Sequence, residues 1–228
     1  MSSQISTTLP IGATSGIGET LTHLGRDRAK LAALAAELNG LETRHLDLAD
    51  IASLPATVTH ILKEFPTLDT VFINGEIQKA YDLFNTATTN ADQITHQITV
   101  NLTAPNMLTR LFAPHLLTLA KSGSKTNIFI TSSSIAYIPL SFYPTYCATK
   151  ARLDHEHREL TVAIQGGKDK AFPPMEFNDY IDQFFTTLEQ LEPDGSIKKE
   201  IGVGFGEMDA SLWRGAFEKV YEQMRLTV

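Results

Sequence analysis

Tyr146 and Lys150 lie four residues apart in the stretch "TYCATKA", residues 145–151. Side chains at this spacing share one face of an α-helix. A free tyrosine has a pKa of about 10 and exchanges its proton poorly near neutral pH. A lysine ammonium within ~4–6 Å favours the phenolate and lowers that pKa. The two residues therefore suit a general acid–base and its activator, although an ordinary amphipathic helix also produces this spacing.

Two other polar residues could assist such chemistry. Ser133 ends the apolar run "NIFITSSS", thirteen residues before Tyr146. Open parallel sheets bind ligands at the carboxyl ends of their strands, so a serine there is well placed; the alternative is a serine that caps a turn. Asn101, in "TVNLTAP", has an amide that could bond water or a backbone carbonyl, and its alternative is a surface asparagine.

A glycine-rich loop near the N-terminus could hold phosphate. Gly12, Gly16 and Gly18 have the spacing G-x-x-x-G-x-G. Between a strand and a helix, such glycines let the backbone approach a pyrophosphate, and the helix N-terminus supplies N–H donors. A flexible turn before a helix is the alternative interpretation of the same spacing.

Alternating strands and helices predict an α/β fold with a mainly parallel sheet. Short apolar runs predict buried strands, and longer amphipathic stretches predict helices. The predicted strands are 41–48, 68–74, 126–134 and 200–206, and the predicted helices are 27–38, 51–65, 91–120, 145–162, 178–191 and 210–224.

Composition narrows the function classes. The chain has 228 residues, 43% apolar and 20% charged, with a net charge of −7. This predicts one globular domain over 1–228, without the basic surface that nucleic-acid binding needs. No apolar run approaches the ~20 residues of a membrane helix. A single cysteine, Cys147, excludes an intrachain disulfide and favours a reducing compartment such as the cytoplasm.

The order and intervals of these motifs resemble those of the short-chain dehydrogenase/reductase family. The resemblance runs over nearly the whole chain. It implies that Tyr146 exchanges the proton, and that Lys150 lowers its pKa and holds the nicotinamide ribose. It further implies that Ser133 bonds the substrate oxygen and that Asn101 maintains a water relay.

The resemblance also implies a cofactor, a substrate class and an assembly. Arg26 and Arg28 resemble residues that receive a 2′-phosphate, which favours NADP, with NAD as the alternative. Asp47 resembles the family's aspartate near the adenine ring. The substrate would be a small carbonyl or alcohol compound, selected by the C-terminal part at about 160–228. The protein would form a homodimer or homotetramer through the helices around 91–120 and 145–162. The implied cofactor-binding residues are Gly12, Ser15, Gly16, Ile17, Gly18, Arg26, Asp47, Leu48 and Asn74.

Several features depart from the family's pattern. Pro10 removes a ladder donor from a short first strand, and no apolar run between Gly18 and Asp47 supplies a second strand. Glu76 follows Asn74-Gly75 where the family has a final glycine, so a negative charge would lie close to the cofactor. In the stretch directly after Lys150, where the family has a helix and then a strand, the only candidate strand is 159–165, and it reads equally well as a helix. We therefore expect a Rossmann-like doubly wound parallel sheet with fewer strands than the usual seven.

Two alternatives to an active oxidoreductase remain. The chain could be a catalytically inactive binding or scaffold protein derived from the same family, or a truncated product, which Glu76 and the missing strands would explain. Ser122 and Lys125 also form a Ser-x-x-Lys sequence, as in some acyl-transferring serine enzymes, which makes a Ser/Lys hydrolase the weaker alternative.

Overall fold

The computed structural model describes a five-stranded parallel sheet in the order β3-β2-β1-β4-β5. Of the 228 residues, it describes 7–12, 24–25, 29, 32, 36, 44–137, 140–156, 177–191, 195, 201–203, 207–208 and 211–212. The strands are β1 (Thr8–Ile11), β2 (Leu24–Gly25), β3 (Arg44–His45), β4 (Thr70–Ile73) and β5 (Asn127–Ile130). The predicted α/β fold with a Rossmann-like parallel sheet is confirmed.

The central strands β1, β4 and β5 pair over four residues each. Thr8 lies opposite Thr70, and Thr70 lies opposite Asn127. All four residues of β4 are buried, as expected for a parallel strand covered on both faces. The apolar runs 68–74 and 126–134 therefore predicted these strands correctly, with bounds a few residues too wide.

Pro10 lies inside β1, where it faces Phe72 of β4. Asn74 donates its backbone N–H to the carbonyl of Ile11 at 2.8 Å, so the peptide groups of Ile11 point toward β4. Peptide groups alternate direction along a strand, and the N–H that Pro10 lacks would point toward β2. The described pairing of β2 with β1 involves only Ile11 and Leu24. The missing donor is therefore on the side where the ladder is shortest.

The prediction that the second strand is absent was wrong. Leu24 and Gly25 pair in parallel with Arg44 and His45, and Leu24 also pairs with Ile11. Two residues with no apolar alternation give no local strand signal, and pairing with neighbours on both sides determines their conformation. The predicted strand 41–48 is likewise shorter, since β3 covers only Arg44–His45.

Most predicted helices are present with shifted ends. They are α1 (Leu54–Glu64), α2 (Ala91–Ile98), α3 (Ala104–Lys121), α4 (Pro144–Glu156) and α5 (Phe177–Leu188). In the predicted helix 27–38, the described residues Ala29, Ala32 and Ala36 are helical and exposed. Residues 211 and 212 are helical in the predicted helix 210–224, most of which lies outside the described residues.

The predicted helix 91–120 is interrupted by a π-helical turn at Thr99–Thr103 between α2 and α3. The turn carries Asn101 and precedes Pro105, the second residue of α3. Proline cannot donate to the helix ladder, and wider π turns often occur at functional positions. The turn therefore sets the side-chain direction of Asn101.

The predicted strand 200–206 was wrong over its described part. Residues 201–203 are irregular, although Ile201 and Val203 are buried. Buried apolar residues in an alternating pattern indicate burial but do not ensure a paired neighbour. The end of the predicted helix 145–162 and the candidate strand 159–165 lie outside the described residues.

The chain divides into two compact units. The first comprises Met1–Thr131 with Ser141–Thr149, and the second comprises Ser132–Leu140 with Lys150–Val228. The first unit contains the sheet and a core to which Leu54, Val71, Leu108 and Phe112 contribute. In the part of the chain that the structure describes, no helix is long and apolar enough to cross a membrane.

Candidate active site

Polar groups lie directly after the carboxyl ends of the central strands. Asn74 follows β4, and its side-chain oxygen accepts a hydrogen bond from the hydroxyl of Thr131, which follows β5, at 2.7 Å. Thr131 also donates its backbone N–H to Ile73. In open α/β sheets the crevice at these strand ends, where the strand order reverses, binds ligands. Here the reversal lies between β1 and β4.

Gly12 and Gly75 approach each other at this edge. Gly12 follows β1 with a φ of +95°, and a Cβ built on it would lie 2.3 Å from the backbone nitrogen of Gly75. A Cβ on Gly75 would lie 2.6 Å from Cδ1 of Leu48. Of the predicted cofactor residues, Gly12 and Leu48 are thus brought together at this point, and Leu48 is buried there.

Asp47 follows β3 and is half-buried. One of its carboxylate oxygens accepts the backbone N–H of Ala49 at 3.0 Å, an Asx turn that fixes the chain after the strand. The other predicted cofactor residues, Ser15, Gly16, Ile17, Gly18 and Arg26, lie outside the described residues.

Asn101 and Gln97 hold the segment that follows β4. Asn101 accepts the backbone N–H of Ile77 at 2.9 Å and donates to its carbonyl at 2.7 Å. Gln97 accepts the backbone N–H of Lys79 at 2.8 Å. Both amides are 1% exposed. The sequence analysis missed Gln97; its position four residues before Asn101 on a helical stretch was the signal that could have revealed it.

Tyr146 lies in the first turn of α4 and is fully buried. Its hydroxyl donates to the carboxylate of Glu76, with both carboxylate oxygens 2.9 Å from Oη. The ring of Tyr143 meets that of Tyr146 edge-on, with centroids 6.3 Å apart. The hydroxyl of Tyr81 and that of Thr145 also form a hydrogen bond. Packing against Tyr143 and the hydrogen bond to Glu76 therefore both hold the phenol in place.

The contact between Glu76 and Tyr146 changes what was expected of Glu76. The sequence predicted that the negative charge of Glu76 would lie close to the cofactor. In the structure, the Glu76 carboxylate instead accepts a hydrogen bond from the phenol of Tyr146, the predicted proton donor. Glu76 is therefore an acceptor for the phenolic proton of Tyr146 in this structure.

Ser133 and Lys150 belong to the second unit. The Ser133 side chain is fully buried, and its hydroxyl has no hydrogen-bond partner among the described residues. The hydroxyl of Ser132 is also buried without a hydrogen-bond partner among the described residues. Buried polar groups without a partner are rare in folded proteins. Lys150 follows Tyr146 by one turn in the sequence of α4 and is 2% exposed.

Two other sequence signals have structural roles. The hydroxyl of Ser122 donates to the carbonyl of Leu119 at 2.7 Å and so caps α3. Cys147 is buried and forms no disulfide. Among the described residues, no group of three or more His, Cys, Asp or Glu side chains could hold a metal ion.

The fold is similar to that of a solved alcohol dehydrogenase from the archaeon Thermococcus sibiricus complexed with 5-hydroxy-NADP. Its TM-score is 0.69 at 20% identity, covering 86% of this chain and 95% of that one. A 3-ketoacyl-(acyl-carrier-protein) reductase from Brucella melitensis complexed with NADH has a TM-score of 0.63 at 20% identity, covering 71% and 76%.

A curated relative and a family profile extend this similarity to the sequence. The uncharacterized oxidoreductase DltE of Bacillus subtilis (strain 168) is 28% identical over 231 residues, or 91% of this chain and 87% of that protein. The short chain dehydrogenase profile matches residues 7–166, well over half of the chain. With this match and the parallel sheet described above, the chain belongs to the short chain dehydrogenase family of oxidoreductases.

Proposed function

We propose that the protein is an NADP-dependent oxidoreductase that interconverts a small carbonyl compound and its alcohol. NADP(H) supplies or accepts the hydride when bound. The chain's own residues orient the substrate oxygen and move the proton. The observation that carries the proposal is the fully buried hydroxyl of Ser133, which lacks a partner among the described residues. A ligand oxygen would satisfy it.

The strand-end geometry supports a nucleotide site. Gly12 and Gly75 pack backbone against backbone directly after β1 and β4, at the sheet edge where open α/β sheets bind nucleotides. Asp47, Leu48 and Asn74 follow the neighbouring strands and would line the adenosine and ribose parts. Gly12, Ser15, Gly16, Ile17 and Gly18 would hold the pyrophosphate.

The choice of NADP over NAD rests on charge. Arg26, with Arg28 beside it in the sequence, would pair with the 2′-phosphate that only NADP carries, because arginine binds phosphate through two parallel hydrogen bonds. Solved relatives hold either kind of nucleotide, one an NADP derivative and one NADH. NAD is therefore the alternative cofactor, and a titration with NADPH and NADH distinguishes the two.

In the reductive direction, Ser133 would donate a hydrogen bond to the substrate oxygen. Tyr146 would transfer its phenolic proton to that oxygen as negative charge develops there. Lys150 would stabilise the resulting phenolate. Asn101 would act at a distance by holding Ile77. A carbonyl oxygen can accept two hydrogen bonds, so the oxygen of Asn101 retains capacity for the proposed water relay.

The remaining features of the proposal concern the whole molecule. We infer one functional domain over 1–228, with the part at about 160–228 selecting the substrate. The protein would act in the cytoplasm as a homodimer or homotetramer, with no nucleic-acid or membrane partner.

A catalytically inactive protein is the second candidate, and the Glu76 contact favours it. The carboxylate holds the phenolic proton of Tyr146, and a side chain that fills this position could exclude both substrate and nicotinamide. In that case the chain would act as a binding or scaffold protein.

A nucleotide titration separates the candidates. NADPH fluorescence should saturate at micromolar concentration with the wild-type protein, and NADH should bind at least about tenfold more weakly, as expected when one charged pair is lost. Arg26→Ala should remove the difference between the two nucleotides. Absence of binding at millimolar concentration of either nucleotide would overturn the enzyme proposal and support the inactive protein.

A further inference from the structure

The segment that follows Glu76 is attached to α4 at its far end by Tyr81. Tyr81 donates its backbone N–H to the carbonyl of Phe142, in the loop before α4, at 3.0 Å. Its hydroxyl forms a hydrogen bond with the hydroxyl of Thr145, the second residue of α4. Both residues of this pair are 8% exposed. A buried hydroxyl that loses its partner destabilises the folded chain, so this contact is favoured over an open arrangement.

Thr145 directly precedes Tyr146, the proposed proton donor, in the first turn of α4. The N–H groups of the first turn of a helix have no acceptor within the helix. This turn therefore depends more than the helix interior on contacts made by its side chains. Tyr81 supplies one such contact, from a position sixty-four residues earlier in the chain.

Asn101 supports the same turn from its other side. The hydroxyl of Thr149 donates to the carbonyl of Tyr146 at 2.8 Å and accepts from the side-chain nitrogen of Asn101 at 3.5 Å. Asn101 also bonds both the N–H and the C=O of Ile77. Asn101 and Tyr81 thus link α4 to the segment after β4 at two separate points.

The hydrogen bond from Tyr146 to Glu76 joins these two linked parts of the chain. Both carboxylate oxygens of Glu76 lie 2.9 Å from Oη of the phenol. The direction of the phenolic O–H therefore depends on how the first turn of α4 is seated against the segment after β4. Loss of the link at Tyr81 leaves the N-terminal side of that turn with one restraint fewer.

We propose that Tyr81 is a positioning residue, which sets the direction of the Tyr146 phenol through its hydrogen bond to Thr145. The inference rests on the proposed role of Tyr146 as the proton donor. Tyr81 acts through Thr145 and transfers no proton to the substrate itself. In an oriented reaction, a displacement of about 1 Å can lower the rate about a hundredfold. The expected signature is a loss of kcat with little change in binding.

The variant Tyr81→Phe keeps the ring and removes the hydroxyl. With NADPH and butanone, its kcat should fall about ten- to a hundredfold, while KM for butanone and the Kd of NADPH stay within about twofold. The solvent deuterium isotope effect on kcat should increase, because proton transfer from a misdirected phenol then limits the rate. A rise in KM with unchanged kcat would overturn the inference.

Substitutions at Thr145 test whether Tyr81 acts through this residue. Thr145→Val should reproduce the loss of kcat, and combining it with Tyr81→Phe should add no further loss. Thr145→Ser keeps the hydroxyl and should keep the wild-type kcat within about twofold. The matched control Thr59→Val removes an exposed hydroxyl of α1 that donates to the carbonyl of Pro55, and it should leave kcat unchanged. Additive losses in the double variant would overturn the inference.

A measurement without turnover distinguishes this inference from the proposed function. The chain has six tyrosines, and NMR of protein that carries isotope-labelled tyrosine Cζ identifies the Tyr146 signal by its absence in Tyr146→Phe. This signal should move in Tyr81→Phe and Thr145→Val and stay in place in Thr59→Val.

The NMR comparison decides the inference whether or not butanone is reduced. If the Tyr146 signal moves but the wild-type protein neither binds NADPH nor reduces butanone, the oxidoreductase proposal fails and the positioning of the phenol by Tyr81 stands. An unmoved signal would overturn the inference. A signal that moves in an active enzyme without loss of kcat would overturn it as well, and the oxidoreductase proposal would remain.

Discussion

The side chain of Asn101 bonds both the N–H and the C=O of Ile77, at 2.9 and 2.7 Å. A residue predicted to serve a water relay therefore also fixes the main chain next to Glu76. Gln97 makes a comparable contact two residues further along, at Lys79. The position of the Glu76 carboxylate thus depends on amides from a different part of the chain.

Replacement of Asn101 by alanine should destabilise the protein by about 1–3 kcal/mol, because two partly buried peptide groups lose their partner. Urea unfolding measures this change. Gln93→Ala removes an exposed amide of α2 and should cost less than about 0.5 kcal/mol. Equal effects of the two substitutions would show that the bonds to Ile77 contribute nothing to stability.

Two glycines with nearly the same backbone conformation should respond differently to alanine. Gly12 and Gly123 have φ values of 95° and 92°, so alanine strains either by about 1–2 kcal/mol. At Gly123 the added carbon meets nothing within 4 Å, whereas at Gly12 it would overlap the backbone of Gly75. Overpacking should add about 1–3 kcal/mol at Gly12. Thermal unfolding of Gly12→Ala and Gly123→Ala checks the difference, and a smaller loss at Gly12 would contradict the close approach.

Ser133→Ala should leave stability within about 0.5 kcal/mol of the wild-type value, because it removes a buried hydroxyl that has no partner among the described residues. The same change should lower kcat/KM about a hundredfold, as loss of one donor to a developing oxyanion does. Ser132→Ala removes a neighbouring hydroxyl in the same condition and should leave turnover unchanged. If both variants lose turnover equally, the hydroxyl of Ser133 has no specific role in substrate binding.

Tyr146→Phe should reduce turnover by roughly 10²–10⁴-fold, since the proposed proton donor is lost. The ring keeps its buried position against Tyr143, so nucleotide affinity should stay nearly unchanged. Steady-state kinetics and the NADPH titration measure the two quantities separately. Parallel loss of both would indicate that the hydroxyl has a structural function instead.

The sequence predicted the fold where strand signals are local. The apolar runs around Val71 and Phe129 both form strands, of which β4 is buried throughout and β5 is buried at Phe129 and Ile130. Leu24 and Gly25 carry no such signal, because their conformation comes from strands on either side. The alternating pattern of Ile201 and Val203 reflects burial alone.

The sequence proposes the residues of the candidate site one by one but gives none of the contacts between them. Tyr146 and Ser133 were identified from their positions in motifs, and both are buried. The partner of the phenol was not, because Glu76 is seventy residues distant in sequence and nothing local gives the direction of its side chain. Gln97 was missed for a similar reason, since a buried glutamine in a helix has no distinctive sequence pattern.

The contacts that Gln97 and Asn101 make depend on the number of residues between them, because the stretch that carries Asn101 is the π-helical turn Thr99–Thr103. An α-helix turns by about 100° per residue, so an insertion or deletion between Gln97 and Asn101 would rotate one amide away from the segment that both hold. Point substitutions can alter either anchor separately, whereas a change in length would release Ile77 or Lys79 without altering any contacting side chain. This stretch should therefore tolerate substitutions more readily than the insertion or deletion of a residue.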